Sequence, residues 1–366
     1  MRKTTIAVAW WGSGGHITPL VSLLNYVHTS NEFMSKCNDI YWFGEGNSLE
    51  QKACEEISWV HFVEIPAGKI RRYWWLRVMW QNIKDMLNVG MGIGCARWEL
   101  RRHKIDVVFG KWGYVSFPVC FAAWVLWIKV VIHESDLFPG LANRLLYPFA
   151  SKVFTWFEHQ GEKYKWKCEH VGQILSLQLW EDPPSDFVEP KKTDKTVVLV
   201  LWWSQWAGAL FDAMKKIWDR TWVWSHNFQF IVTLGTKNMQ YKEVFSEYPN
   251  VFTYEYLSPA KMGMLYKNAD IAITRWGVTS LAEQKLFGIK SCIVPTPFTG
   301  GNHQLWNARR YEEHYWDVCI EQNNDMEKGI ERFLEQHIGY KKSRNISSQD
   351  PIKKTYTKIM KELLVN

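Results

Sequence analysis

The feature that most constrains the fold is a unit that occurs twice, about half a chain apart. Each copy has a run of aliphatic residues, a tight turn and a segment of helical character: Ile6–Pro19 (IAVAWWGSGGHITP) and Val197–Leu210 (VVLVLWWSQWAGAL). A buried parallel strand that leads through such a turn into a helix N-terminus holds phosphate groups in α/β proteins, because free N–H groups and the helix dipole converge there. The repeat predicts two similar domains that face one cleft.

Short apolar runs alternate with longer segments of helical character, such as Leu20–His28 and Trp80–Arg102. This alternation predicts parallel sheets covered by helices on both faces, which is the α/β class. The predicted strands are Ile6–Val8, Ile40–Phe43, Val60–Ile65, Val107–Phe109, Val130–Ile132, Val153–Phe157, Val197–Leu201, Phe228–Leu234, Val251–Tyr256, Ile271–Thr274 and Cys292–Val294.

The length of 366 residues favours two domains, since a single hydrophobic core stops growing below this size. A polar stretch with prolines, Glu181–Lys195, separates the two sets of strands, and we place the boundary near Gly172–Gln178. We predict an N-terminal domain over residues 1–173 and a C-terminal domain over residues 174–346.

Composition excludes several classes of protein. Hydrophobic residues make up 47% and charged residues 22% of the chain, which excludes wholesale disorder. The seven cysteines are scattered without a C-x-x-C pair, which argues against a disulfide framework or a zinc site and favours a reducing compartment. No apolar run reaches the ~20 residues of a membrane span. The net charge of +7 favours an anionic membrane surface or nucleotide sugar over nucleic acid, for which no motif is present.

Polar motifs follow several of the predicted strands. In the first half these are GSGGH at Gly12–His16, GKWGYVS at Gly110–Ser116 and HESDLFPGLANR at His133–Arg144. In the second half they are RWGVTSLAE at Arg275–Glu283 and NHQLWNA at Asn302–Ala308. Because open α/β sheets bind ligands at the carboxyl ends of their strands, the motifs predict a binding site in each half.

The segment Ile70–Trp80 (IRRYWWLRVMW) combines three arginines with aromatic and aliphatic residues. An amphipathic helix that packs its aromatic residues inward accounts for this pattern. A membrane-interface patch accounts for it equally well, with aromatic rings at the headgroup level and arginines against anionic lipid.

Together these motifs, in this order and spacing, resemble the MurG family of N-acetylglucosaminyltransferases nearly from end to end. The resemblance implies a GT-B fold, in which two Rossmann-like domains face a cleft. It implies an inverting, metal-independent transfer without a cofactor, from UDP-N-acetylglucosamine to the MurNAc C4 hydroxyl of undecaprenyl-linked lipid I. The reaction yields lipid II for peptidoglycan at the cytoplasmic face of the inner membrane, with the enzyme attached peripherally to an anionic surface.

The resemblance also implies roles for individual residues. The second domain would bind the donor: the turn at Ser204 and Gln205 the pyrophosphate, Leu257 the uracil, Glu283 the ribose, and His303 and Gln304 the sugar. Val278, Thr279 and Ser280 would line the side of the site that faces the phosphates and the sugar. Gly277, Leu281 and Ala282 are further expected substrate-binding residues.

The first domain would bind the acceptor through Ser13, Gly14, Gly15, Tyr114 and Asp136. His16 is the first candidate for the base that deprotonates the acceptor hydroxyl, because its unperturbed pKa lies near working pH. Asp136 is the second candidate. A membrane patch is expected at Ile70, Arg71, Arg72, Trp74, Trp75 and Trp124, and residues 347–366 are expected to pack back on the first domain.

Tryptophan replaces glycine, or at Trp276 another small residue, at seven positions of the resemblance: Trp11, Trp112, Trp127, Trp202, Trp203, Trp206 and Trp276. Trp10 is a further candidate and is not counted among the seven. Because the exchange runs in one direction, we interpret these tryptophans as UGA codons that the source genome reads as glycine. Ser176 replaces an expected arginine and has no such explanation.

Two alternative functions stay open at this point. One is another GT-B nucleotide-sugar enzyme, either a glycolipid glycosyltransferase or a UDP-N-acetylglucosamine 2-epimerase. The other is a catalytically inactive, membrane-associated scaffold, which is favoured if the tryptophans are genuine.

Overall fold

The structure is a computed structural model. It describes residues 2–10, 14–68, 76–111, 113–158, 162–190, 193–201, 208–220, 223–255, 257–275, 277–296, 303–343 and 348–364. The chain forms two compact units. The first unit is Met1–Ser176 together with Asp350–Asn366, and the second unit is Leu177–Gln349.

The described residues of the first unit form one parallel seven-stranded sheet in the order β3-β2-β1-β4-β5-β6-β7. Its strands are β1 Thr4–Trp10, β2 Cys37–Gly44, β3 Val60–Glu64, β4 Val107–Lys111, β5 Lys129–Glu134, β6 Lys152–Thr155 and β7 Cys168–His170. Its helices are α1 Gly14–Thr29, α2 Asn31–Lys36, α3 Leu49–Glu55, α4 Leu76–Arg102, α5 Ser116–Val125, α6 Leu141–Leu146, a 3-10 helix at Glu162–Lys167 and the C-terminal helix α14 Asp350–Leu363.

The described residues of the second unit form a six-stranded parallel sheet in the order β10-β9-β8-β11-β12-β13. Its strands are β8 Thr196–Leu201, β9 Phe228–Thr233, β10 Val251–Tyr254, β11 Ile271–Thr274, β12 Lys290–Ile293 and β13 Val318–Cys319. Its helices are a 3-10 helix at Leu177–Trp180, α7 Gly208–Arg220, α8 Val223–Asn227, α9 Gln240–Ser246, α10 Pro259–Asn268, α11 Val278–Leu286, α12 His303–Tyr315 and α13 Met326–Glu335.

The central strands of both sheets are buried along their whole length, because helices cover both faces. Every residue of β1, β4, β8 and β9 is buried. In the first unit the helices approach closely: a Cβ built on Gly110 would lie 2.6 Å from the Cys120 sulfur on α5. The prediction of two parallel-sheet α/β domains is confirmed. Sequence reasoning missed the short strands β7 and β13.

The C-terminal helix α14 returns to the first unit. Its Tyr356 hydroxyl donates a hydrogen bond to the Leu175 carbonyl, and its Glu362 pairs with Lys129 of β5 at 2.7 Å. The Tyr356 ring also packs against Tyr26 of α1, with ring centres 5.3 Å apart. These contacts hold the end of the chain against the first sheet.

Helices α5 and α11 occupy the same place in the two topologies, and they end in the same motif. After α11, the Gly288 N–H bonds the Lys285 carbonyl and the Ile289 N–H bonds the Gln284 carbonyl, with Gly288 at φ +67°. After α5, Trp127 and Ile128 make the corresponding bonds to Trp124 and Ala123.

Trp127 stands where this helix-ending motif usually has glycine. Its φ is +60°, and its side chain is 95% exposed. Trp316, which follows α12, has φ +57° and is also exposed, although sequence reasoning did not single it out. The left-handed region costs a residue with a Cβ roughly 1–2 kcal/mol, so both backbones favour glycine. The other six suspect tryptophans lie outside the described residues.

In the part of the chain that the structure describes, none of the helices is both long enough and apolar enough to cross a bilayer.

Candidate functional site

Polar and ionisable side chains gather at the carboxyl ends of the central strands of the first unit. Lys111 is the last residue of β4 and pairs in register with Trp10 of β1 and with His133 of β5. Glu134 is the last residue of β5, and Asp136 follows it. The aliphatic residues before them anchor the strands in the core, so the polar residues fall at one edge of the sheet.

Glu134 organises the loop that carries Asp136. Its buried carboxylate accepts hydrogen bonds from the Asp136 backbone N–H at 2.8 Å, from the Asn143 amide at 2.9 Å and from the Gly140 N–H at 3.3 Å. Burial raises the pKa of Glu134 to about 7, and these hydrogen bonds oppose the rise. Glu134 was not among the predicted site residues. The sequence signal for it was its place in the HESD motif at a strand end.

Lys111 is a second buried ionisable group that sequence reasoning did not assign. Its side chain is 1% exposed, and its ammonium donates to Gln173 Oε1 at 3.2 Å and lies 4.5 Å from the centre of the Trp10 ring. Burial lowers the pKa of Lys111 to about 7, although the charges of Glu134 and Asp136 act to raise it. The first unit therefore holds a compact group of buried ionisable side chains at its strand ends.

His133 belongs to the same group. Its Nε2 lies 2.9 Å from the Gly172 carbonyl oxygen, and its Nδ1 lies 3.5 Å from Ser135 Oγ. Burial, and after it the charge of Lys111, hold the pKa of His133 well below its usual value. His133 is therefore neutral at physiological pH and serves as a hydrogen-bonding group.

The predicted acceptor residues have different surroundings. Asp136 is 3% exposed beside Glu134. The Tyr114 hydroxyl donates to Glu45 Oε2 at 2.7 Å, and burial followed by this bond raises the pKa of Tyr114. Helix α1 begins at Gly14, so Gly14, Gly15 and His16 form its first turn. The side chain of His16 and all of Ser13 lie outside the described residues, so their roles stay predictions.

In the second unit, the predicted donor segment forms the start of α11. Gly277 is the N-cap residue after β11, and the N–H groups of the first helical turn have no partner within the helix. Val278, Thr279, Leu281 and Ala282 are buried. Leu257, which precedes α10, is buried in the core of this unit. Ser204, Gln205 and Trp276 lie outside the described residues.

Glu283, the predicted ribose ligand, is held by a phenol. The Tyr266 hydroxyl on α10 donates to Glu283 Oε2 at 2.9 Å. Burial raises the pKa of Glu283 to about 7, and the bond from Tyr266 opposes the rise. Gln304 lies in the first turn of α12, and its Oε1 accepts a hydrogen bond from the Thr296 backbone N–H at 3.0 Å. His303 begins α12, and its side chain lies outside the described residues.

Helix α4 carries an exposed apolar stripe that continues the predicted membrane patch. Trp80 is 69% exposed, and Ile83, Leu87 and Met91 follow it at intervals of three and four residues. This spacing places the four side chains on one helix face. Trp124 of the neighbouring helix α5 is partly exposed and packs against Phe149 at 4.4 Å between ring centres. Residues Ile70, Arg71, Arg72, Trp74 and Trp75 lie outside the described residues.

Among the described residues, no three or more His, Cys, Asp or Glu side chains are grouped so that they could hold a metal ion.

Comparisons with known proteins give the family. The Glycosyltransferase family 28 N-terminal domain matches residues 6–155, and the Glycosyltransferase family 28 C-terminal domain matches residues 197–363. The UDP-N-acetylglucosamine–N-acetylmuramyl-(pentapeptide) pyrophosphoryl-undecaprenol N-acetylglucosamine transferase of Halothermothrix orenii is 32% identical over 341 residues, which are 89% of this chain and 88% of that protein. The chain belongs to the MurG family. It is therefore a glycosyltransferase, as the resemblance implied.

Solved structures agree on the fold of this MurG family member. The crystal structure of Acinetobacter baumannii MurG superposes with a TM-score of 0.68 at 17% identity, and the match covers 99% of each chain. The UDP-GlcNAc 2-epimerase from Neisseria meningitidis, solved with UDP-GlcNAc, superposes with a TM-score of 0.63 at 13% identity and covers 100% of each chain. At these identities the likeness shows the GT-B fold alone.

Proposed function

We propose that this protein transfers N-acetylglucosamine from UDP-N-acetylglucosamine to the MurNAc C4 hydroxyl of undecaprenyl-pyrophosphoryl-MurNAc-peptide, converting lipid I to lipid II for peptidoglycan. The observation that carries the proposal is the identity of 32% to a transferase of this name, over 88% of that protein's length. The strand ends of both units add support, because each presents polar groups where α/β sheets bind ligands.

The second unit binds the donor in this proposal. The uracil contacts the backbone beside Leu257, and the ribose hydroxyls donate to Glu283. The first turn of α11 directs N–H groups and the positive end of its dipole toward the phosphate and sugar side. The turn at Ser204 and Gln205, just before α7, holds the pyrophosphate and stabilises the negative charge of departing UDP. In other enzymes a metal ion provides this stabilisation.

The first unit binds the acceptor and supplies the base. The acceptor C4 oxygen attacks C1 of the N-acetylglucosamine, the bond from C1 to the UDP oxygen breaks, and configuration at C1 inverts. The proton of the acceptor hydroxyl passes to His16 or, as the second candidate, to Asp136. Glu134 holds the Asp136 backbone, and Lys111 places a positive charge near both carboxylates.

We further propose that the protein lies at the cytoplasmic face of the inner membrane as a peripheral protein. The exposed stripe Trp80, Ile83, Leu87 and Met91 supports this, because an apolar helix face enters the headgroup region of a lipid surface. The arginines of residues 70–80 and the net charge of +7 favour anionic lipid. Replacing Trp80 and Ile83 together by serine should weaken binding to anionic vesicles. Sedimentation with vesicles checks this, and unchanged binding would contradict the membrane proposal.

The activity is tested with a form of the full chain that has glycine at residues 11, 112, 127, 202, 203, 206 and 276, called here the glycine form. We expect it to transfer labelled N-acetylglucosamine to a lipid I analogue, with UDP as the second product. The chain with tryptophan at these positions should be much less active, since indoles would crowd the backbone that approaches the pyrophosphate.

The same assay separates the alternatives. An epimerase would convert UDP-N-acetylglucosamine without any acceptor, and transfer to lipid I would not occur. A scaffold would show no binding of UDP-N-acetylglucosamine in isothermal titration, even in the glycine form.

A further inference from the structure

Tyr266 joins two of the predicted donor-site residues through a single hydroxyl. The hydroxyl donates to Glu283 Oε2 at 2.9 Å, and the Ser280 hydroxyl hydrogen-bonds the same phenol oxygen. Ser280 and Glu283 are three residues apart on α11, so they lie on one face of that helix. Tyr266 belongs to a different helix, α10, and thus contacts this face of α11 from a neighbouring helix.

The position of the phenol is fixed by the packing of α10. A Cβ on Gly263 would lie 1.8 Å from the Leu179 carbonyl oxygen, so α10 approaches that backbone as closely as a glycine allows. One turn later, the Tyr266 side chain is fully buried and its ring packs on Phe287, with ring centres 5.5 Å apart. The Lys342 ammonium also donates to the Tyr266 backbone carbonyl. A hydroxyl held in this way offers Glu283 a donor in a constant place.

We infer that Tyr266 is a positioning residue of the donor site, which orients Glu283 and Ser280 before the ribose of the UDP-sugar arrives. This inference rests on the proposed function, in which Glu283 accepts hydrogen bonds from the ribose hydroxyls. A carboxylate that must accept two hydroxyls has to be ionised and held in one rotamer. The phenol serves both needs, because its proton bonds the ionised carboxylate and leaves Oε1 and the remaining lone pair of Oε2 for the ligand.

Because Glu283 is buried, its ionised form depends on the hydrogen bond from Tyr266. Loss of solvent raises the pKa of Glu283 to about 7, and the bond from Tyr266 is the interaction that opposes the rise. Without the phenol, more of the carboxyl would be protonated near neutral pH, and its side chain would lose its fixed partner. Both changes weaken contacts to the ribose, while contacts to the pyrophosphate are untouched.

The test compares two ligands on the glycine form and on its Tyr266→Phe variant by isothermal titration. The ligands are UDP and 2′,3′-dideoxy-UDP, which lacks the two hydroxyls that Glu283 would accept. We expect Tyr266→Phe to weaken UDP binding on the order of tenfold, as for loss of a hydrogen bond to a charged group, and to leave 2′,3′-dideoxy-UDP binding nearly unchanged. In steady-state kinetics KM for UDP-N-acetylglucosamine should rise while kcat stays the same.

Tyr248→Phe is the matched control. Tyr248 also donates its hydroxyl to a carboxylate of the second unit, that of Asp219, which belongs to the far end of α7. It should change neither ligand's affinity.

The outcomes are distinct. Equal UDP binding by Tyr266→Phe and the parent, or an equal loss for both ligands, would overturn the inference and leave the proposed function standing. Failure of the parent to bind UDP at all would overturn both. If Tyr266→Phe does not fold, Ser280→Ala removes the other hydrogen bond to the phenol. It should also weaken UDP more than the dideoxy ligand, whereas a loss through phosphate contacts alone would affect both ligands equally.

Discussion

The two units share one topology but present different chemistry at their strand ends. Both sheets use the strand order 3-2-1-4-5-6 counted within each unit, and the first adds one more strand. The first unit places Lys111, His133, Glu134 and Asp136 together in its interior. The second unit presents a helix N-terminus and one carboxylate that is held by Tyr266. The difference fits the proposed division of roles, in which the first unit accepts the proton of the acceptor hydroxyl and the second unit binds the nucleotide.

The comparison predicts that substitutions in the two units affect different kinetic constants. The largest effect is expected from loss of the base. Either His16→Ala or Asp136→Asn in the glycine form should lower kcat by about 10²–10⁴ and leave KM for UDP-N-acetylglucosamine unchanged. Steady-state assays with a lipid I analogue measure both constants, and the variant with the larger fall identifies the base. If a variant changed only KM for UDP-N-acetylglucosamine and left kcat unchanged, its residue would act in donor binding, which contradicts its assignment as the base.

The next effect concerns Glu283 in the second unit. Glu283→Gln keeps the size of the side chain but removes the charge that accepts the ribose hydroxyls. We expect KM for UDP-N-acetylglucosamine to rise on the order of 100-fold, with kcat nearly constant, since hydrogen bonds to a charged group contribute about 1.5–3 kcal/mol each. Asp219→Asn, in the last turn of α7 in the same unit, is the control and should change neither constant.

The affinity of the second unit for the donor should change about tenfold with pH. The pKa of Glu283 is raised to about 7, so its carboxyl is mostly neutral at pH 6 and mostly ionised at pH 8. Because only the ionised form accepts both ribose hydroxyls, UDP-N-acetylglucosamine should bind roughly tenfold more weakly at pH 6 than at pH 8, and its pyrophosphate diester keeps the same charge at both pH values. Isothermal titration at the two pH values measures this. The Glu283→Gln variant should lose the dependence, and a dependence that survives there would point to another group.

The smallest effect concerns the equivalent helix ends at Trp127 and Gly288. Trp127→Gly should stabilise the first unit by about 1 kcal/mol, because it relieves a positive φ and removes no buried contact. Thermal unfolding should show a rise of roughly 2–4 °C. Gly288→Ala should lower the stability of the second unit by a similar amount. If Trp127→Gly were neutral while Gly288→Ala destabilised, the two helix ends would not be equivalent.

The gene offers a direct check on the same comparison. We expect UGA codons at residue 127 and at residue 316, where the backbone also favours glycine. A UGG codon at either position would mean that the tryptophan there is genuine.

Much of the fold follows from apolar runs, and the exceptions have a physical reason. The fully buried strands β1, β4 and β8 each contain an unbroken apolar run, Ile6–Trp10, Val107–Phe109 and Val197–Leu201, which the sequence displays directly. Strands β7 and β13 have only three and two residues at sheet edges, and their pairing depends on a neighbour that no local pattern reveals.

The site was predictable in its motifs but not in its supporting contacts. The HESD motif marked Asp136, whereas the role of Glu134 depends on N–H groups that the turn into α6 brings back to it. The contact of Tyr266 with Glu283 spans 17 residues and two helices, so no spacing rule predicts it. Lys111 ends an aliphatic strand, and its burial follows from the strands on either side.

The division of work between the units is tested most directly by hydrogen–deuterium exchange of the glycine form with and without UDP-N-acetylglucosamine. We predict slower exchange in the second unit, in the segment beside Leu257 and in the first turns of α11, with little change at the strand ends around Lys111 and Glu134. Protection confined to the first unit would contradict the account.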